Sequence, residues 1–234
     1  MIATPMKPTP KYNGFSSLDL LLIIAALAGI VLVILPQFAR SRARTKKIGC
    51  TNCLKQVSYA FRIWAGDCND KLPTQVSVTN GGVMEFALRG SAYEVFLVMS
   101  NELSTPKILI CPDESNPKRL AATVFGAVIP VNSPAGSVAF TPSNNLSYFV
   151  GLDADLALPQ TVLAGDDHFS LNGSSPKPGL FPLPTNAPVV WRNERHRYGG
   201  NIGFADGSVQ GFSSAALRTA LANTGFATNR LAMP

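Results

Sequence analysis

Charge is scarce in this sequence: only 15% of its 234 residues are Asp, Glu, Lys or Arg, and there are only two histidines. Between Phe15 and Ala39 the one ionised residue is Asp19, and residues 1–14 contain no acid at all. No HExxH pair, P-loop or nucleophile elbow occurs, which leaves the common hydrolase and NTPase signatures unmet. The chain therefore reads as non-enzymatic, with no catalytic residue assigned. Cys50-Thr-Asn-Cys53 has the spacing of half a zinc site or of a redox pair, but no second CxxC occurs and no histidine is near any cysteine in sequence. Cys50, Cys53, Cys68 and Cys111 are thus read chiefly as disulfide partners or buried thiols, with zinc and redox chemistry as the lesser alternatives.

The net charge of +6 resembles a nucleic-acid signal only until it is divided along the chain. Residues 15–66 hold seven Lys or Arg against Asp19, whereas residues 67–234 hold 11 basic and 13 acidic side chains. Basicity is confined to the flanks of one apolar segment, where anionic lipid head groups are the natural partner. Nucleic acid is excluded as a partner of the remainder.

That segment comes after a polar, Pro- and Lys-containing stretch ending in Gly14. Phe15 to Ala39 would reach about 37 Å as a helix, enough to cross a bilayer core. A buried core helix would need a polar face, and a secretory signal would need a small-x-small cleavage site after the apolar run; both are missing. The order of basic leader, Gly14, Phe15, an acid at Asp19 and a long Leu/Ile/Ala run resembles the class III signal of type IV prepilins and type II secretion pseudopilins. The resemblance implies cleavage by a prepilin peptidase between Gly14 and Phe15 and methylation of Phe15. It gives Asp19 and Pro36 roles in helix packing and assembly. Asp19 stands where the family usually has Glu, and a neighbouring subunit's N-terminal amine would neutralise it within a filament. Arg40, Arg42, Arg44, Lys46 and Lys47 outnumber Lys7 and Lys11, so loop charge alone would place the later domain in the cytoplasm. The ordered motif requires the opposite, an extracytoplasmic domain on the inner membrane, and it is preferred over the count.

Beyond the segment, Leu54, Val57, Ser58, Phe61 and Trp64 recur at helical spacing, and Gly66-Asp67 begins turn chemistry. The spacing predicts a helix over 93–103 and a final one over 213–223. Strands are expected at 107–111, 147–153 and 161–165, with loops over 115–146 and 170–188. Asp206-Gly207 between alternating stretches predicts a two-residue hairpin. His196, nine intervening residues before Asp206-Gly207, completes a His-x9-Asp-Gly pattern similar to the C-terminal motif of prepilin-type proteins from Planctomycetes and Verrucomicrobia. The stretch from Asn52 to Leu72-Pro73 resembles the same group. His196, Asp206 and Gly207 are read as structural.

The expected fold is α+β and pilin-like: a long N-terminal helix, transmembrane in its first half, packed on a small antiparallel sheet domain with long loops. The expected divisions are a leader (1–14), a transmembrane half-helix (15–39), a periplasmic half-helix (40–66) and a globular domain (67–234). No cofactor is certain. The resemblance allows calcium, for which Asp153, Asp155, Asp166 and Asp167 are the candidate carboxylates. The expected function is a structural subunit of a type II secretion pseudopilus or type IV pilus-like filament. Its partners would be prepilin peptidase, other pilin subunits and inner-membrane lipid. The alternative is a monomeric, membrane-tethered extracytoplasmic binding module.

Overall fold

A computed structural model describes residues 17–142 and 144–234, and the chain divides into two compact units, Met1–Arg44 and Thr45–Pro234. Gly14 and Phe15 lie outside the described residues. Helix α1 (Ser17–Asp67) begins in the first unit with Asp19 in its first turn, a favourable place for an acid beside the helix dipole. Its early residues include Leu18, Leu22, Leu27, Leu32 and Leu35, all 56–73% exposed.

In the second unit, α1 presents one buried face. Cys50, Leu54, Val57, Phe61 and Ala65 succeed one another at three- and four-residue steps and are fully buried, while Tyr59 and Ile63 on the other side are exposed. The helix stops where Asn69 and Asp70 turn left-handed (φ 56° and 57°), with the Asp70 amide returning to the Ala65 carbonyl at 2.9 Å. Three short helices come next: α2 (Met84–Leu88), α3 (Ala92–Val98), capped by the Ser91 hydroxyl, and α4 (Ser100–Leu103).

The strands are β1 (Tyr148–Gly151), β2 (Val162–Asp166), β3 (Phe169–Leu171), β4 (Gly179–Pro184), β5 (Val189–Trp191), β6 (Gly199–Phe204), β7 (Val209–Ser213) and β8 (Thr228–Met233), with α5 (Ser214–Ala222) before β8. Six of them form an antiparallel sheet in the order β4-β8-β1-β2-β6-β7, and β3 pairs with β5 alone. Alternation sends Tyr148 and Val150 into one core with the buried face of α1 and helices α2–α4. Phe149, Ile202, Phe204 and Leu231 enter a second core with Phe169, Trp191 and the Leu217–Leu221 face of α5. A β-carbon at Gly200 would lie 2.4 Å from the Trp191 indole, so only glycine lets β6 approach it.

The expected pilin-like fold is corrected here. Helix α1 runs from Ser17 to Asp67, but the transmembrane first half foreseen for it is not found among the described residues. No helix among them is long and apolar enough to cross a membrane. In place of a small sheet, the second unit has a set of short helices and a six-stranded antiparallel sheet covered on both faces.

Local expectations also change. Residues Pro106–Leu109 form a 3-10 turn rather than a strand, because Pro106 suits a first helical position and the Thr105 hydroxyl accepts from the Lys107 amide. The helix foreseen over 93–103 is split at Met99 into α3 and α4. The segment 170–188 contains β4, which edges the sheet despite Pro182 and Pro184. The Asp206-Gly207 hairpin joins β6 to β7, yet only Gly207 has positive φ (86°), and Phe204 and Ser208 close a three-residue loop instead of a two-residue one.

Candidate functional site

Four segments far apart in sequence bring Cys50, Cys111, Asp166 and His196 together, with one donor atom of each within 4.8 Å of all the others. Cys50 enters because it sits one turn before Leu54 on the buried face of α1. Cys111 comes after the 3-10 turn, where Pro112 packs over Gly49; a β-carbon on Gly49 would lie 3.3 Å from the proline ring. Asp166 ends β2, opposite Tyr148 in the β1–β2 register. His196 is aimed inward by an unusual backbone, since His196, Arg197 and Tyr198 are successive left-handed residues (φ 54°, 51° and 61°). Such conformations cost on the order of 1–3 kcal/mol each and persist only where surrounding contacts hold them.

The cluster is closed to solvent: Cys50 and Asp166 are fully buried, as is the His196 side chain, and Cys111 is almost so. The Cys50 sulfur is 3.4 Å from Asp166 Oδ1 and 3.4 Å from the Tyr148 hydroxyl. Cys111 Sγ is 3.3 Å from His196 Nε2, which is 3.6 Å from Asp166 Oδ2. Asp166 Oδ2 also accepts from the Asn201 amide (2.7 Å) and its side-chain nitrogen (2.9 Å), and the Thr51 hydroxyl in turn donates to Asn201 Oδ1. On its far side the His196 ring places Nδ1 3.5 Å from the Asp113 carboxylate, which accepts from the His196 amide and pairs with Lys46.

These groups perturb one another. The Cys111 thiol is pushed down to about 6, first by a hydrogen bond from Cys50 and then by His196, against the opposing effect of burial. The Cys50 thiol is driven up by that same bond to Cys111, by burial and by the negative charge of Asp166. Burial works to lower His196, but Cys111 and Asp166 outweigh it and raise its affinity for a proton. The Cys50 S–H thus faces two acceptors, Asp166 and Cys111, with the Tyr148 hydroxyl beside the same sulfur.

A buried ion network stands beside it. Arg195 is paired with Asp167, lies 3.3 Å from Glu114 Oε2 and donates to the Ser147 carbonyl. Arg119 bridges Asp167 (2.5 Å) and Glu114 (3.2 Å). Burial opposes ionisation of Glu114, but Arg195, backbone amides, Ser147 and Arg119 together hold its carboxyl below the usual range. His168 stacks on Trp191 and sends Nε2 to the Gly199 carbonyl at 2.9 Å; burial, then Arg195, lower it to about 4, so it is neutral.

The carboxylates considered for calcium do not converge. Asp153 takes three hydrogen bonds from Arg230, Asp155 accepts from the Ala157 amide, and Asp167 is held by two guanidinium groups. Only Asp166 faces other ligand-type atoms, and calcium's six to eight oxygens are absent from its surroundings among the described residues. All four cysteines are free thiols, and Cys53 and Cys68 stand outside the cluster. Asp206 accepts from the Ser208 amide and offers its carbonyl to Arg62 at 2.7 Å, a turn role. Glu114, Arg119, Arg195 and Asn201 belong to no sequence motif. Apart from the Glu114–Arg119 pair, five positions apart, their partners lie 28–150 positions away, and only the acid-rich runs Asp113-Glu114 and Asp166-Asp167 hint at them.

Cys111 beside His196 has the composition of a thiolate–imidazole pair, but no substrate reaches side chains this deeply enclosed. The arrangement can hold something small and positive, or tie its four segments together. No family model, curated protein or solved structure matches the chain.

Proposed function

We propose that this protein is a structural subunit of a filament of the prepilin or pseudopilin kind, processed by a prepilin peptidase at Gly14 and Phe15. The observation that supports it is the run of large apolar side chains along the early part of α1, from Leu18 to Leu35, exposed on every side of the helix. Water does not tolerate a contiguous apolar surface of this kind on an isolated soluble protein. The covers available to it are inner-membrane lipid and the same run on other copies. The second unit carries its own two cores and supplies a folded, extracytoplasmic body for a filament surface. Asp19, in the first turn of α1, is the residue through which one subunit would engage the N-terminal amine of the next.

Mass spectrometry of the protein from its native membrane tests the processing step: a mature chain starting at methylated Phe15 is expected, and an intact Met1 overturns the reading. Asp19→Ala should abolish filaments while leaving the domain folded. If that variant still assembles, the protein is a tethered module and not a filament subunit.

A further inference from the structure

We propose that Cys50, Cys111, Asp166 and His196 bind one Zn(II) ion as a closed structural site. The inference rests on the second unit alone and stands or falls independently of filament assembly.

Geometry carries it. A tetrahedral zinc with about 2.3 Å bonds to sulfur and about 2.0 Å bonds to nitrogen or oxygen sets its ligand atoms about 3.3–3.8 Å apart. The cluster already has Cys111 Sγ to His196 Nε2 at 3.3 Å and Cys50 Sγ to Asp166 Oδ1 at 3.4 Å, and one donor atom from each of the four residues lies within 4.8 Å of the others. Two thiolates, an imidazole and a carboxylate form a donor set suited to zinc and unlike the all-oxygen shells of calcium or magnesium. Four protein ligands with no solvent access leave no open position, which marks a structural ion rather than a catalytic one.

The surroundings fit the same role. His196 offers Nε2 to the centre, while its backbone amide donates to the Asp113 carboxylate, which lies 3.5 Å from the far ring nitrogen. Asn201 anchors Asp166 through Oδ2 with two hydrogen bonds, leaving Oδ1 toward Cys50. Two thiolates would match the charge of the divalent cation, and Arg195 lies 4.0 Å from Asp166 Oδ1 to face the added carboxylate. The half-site suspected from Cys50-Thr-Asn-Cys53 thus has the right metal and the wrong partner, since Cys53 takes no part. Zinc would clasp α1, the Cys111-Pro112 turn, the end of β2 and the left-handed segment before β6, and would hold the strained φ at His196 in place.

The test is metal analysis of the full-length protein, purified without chelator and in reducing buffer. About one zinc per chain is expected, with Cys111→Ser and His196→Ala each losing it and Cys53→Ser and Cys68→Ser retaining it. Replacement by Co(II) should give visible absorption with sulfur-to-metal charge transfer, reduced by about half in Cys50→Ser because one of two thiolates is gone. Should the cluster variants fail to fold, the wild-type protein decides alone through its zinc content and cobalt spectrum. A metal-free protein with four titratable thiols overturns the proposal. So does loss of two thiols to a Cys50–Cys111 disulfide without metal, or zinc retained in folded Cys111→Ser.

Discussion

Helix α1 passes through two regions that treat the same kind of side chain in opposite ways. Leu22, in the first unit, is 64% exposed, whereas Leu54 and Phe61, in the second, are fully buried. Sequence composition along the helix explains the difference: the early run is apolar on all sides, while the later one is apolar only at three- and four-residue steps. An all-round apolar helix cannot be satisfied by one domain packed on one side of it, so its cover must come from elsewhere. A one-sided stripe is satisfied within the fold. Apolar content alone therefore says little about where stability is generated; its periodicity says more.

The contrast is most exposed to challenge at Phe61, whose ring meets Phe96 edge-on with centroids 6.3 Å apart. Phe61→Ala should cost about 3–5 kcal/mol in denaturant unfolding of the second unit, the usual loss for emptying an aromatic site in a core. Arg195→Met comes next, at about 3 kcal/mol or more, because Glu114 and Asp167 then remain buried with one guanidinium fewer. A Glu114→Gln, Asp167→Asn background should recover part of that loss, and absence of any recovery would show that packing rather than charge explains it.

A smaller effect is set by pH. His168 has an ordinary value of 6.5 and is lowered to about 4 by burial and by Arg195. Below 6.5 the unfolded chain takes up a proton that the folded protein refuses until about 4, so stability is full at neutral pH and falls through that window. The whole shift corresponds to on the order of 3 kcal/mol, with only a fraction of it lost by pH 5.5. His168→Gln should flatten urea midpoints between pH 6.5 and 4; an unchanged slope would assign the acid sensitivity to other groups. The smallest effect on folding is expected at Leu22. Leu22→Ser should leave unfolding of the second unit within about 0.5 kcal/mol of the parent, while sedimentation shows weaker self-association. Destabilisation of the domain by this change would erase the distinction between the two regions.

Particular residues show how far the chain can be read in advance. The stripe of Leu54, Val57, Ser58, Phe61 and Trp64 is buried as its spacing predicts, and β1, β2, α5 and the Asp-Gly hairpin fall at their expected positions. These are local matters, settled by periodicity, capping and turn residues within a few positions. Strand β8 and its insertion between β4 and β1 are not legible, because the pairing of Leu231 with Phe181 and Gly151 joins segments 50–80 residues apart. Apolar length predicts a membrane-crossing helix, and the described structure has no helix that qualifies.

The four cysteines illustrate the same boundary. Sequence by itself established their number, the lone CxxC, the apolar run after Phe15 and the stripe of α1 from Leu54 to Trp64. Tertiary structure alone decided that Cys50 meets Cys111, Asp166 and His196 rather than Cys53. A helix places positions three and four apart on one face, but a site built from a helix, a turn, a strand end and a left-handed loop has no spacing of its own. Its distances are set by how the β-sheet packs on α1, which is a property of the whole second unit and of no segment within it.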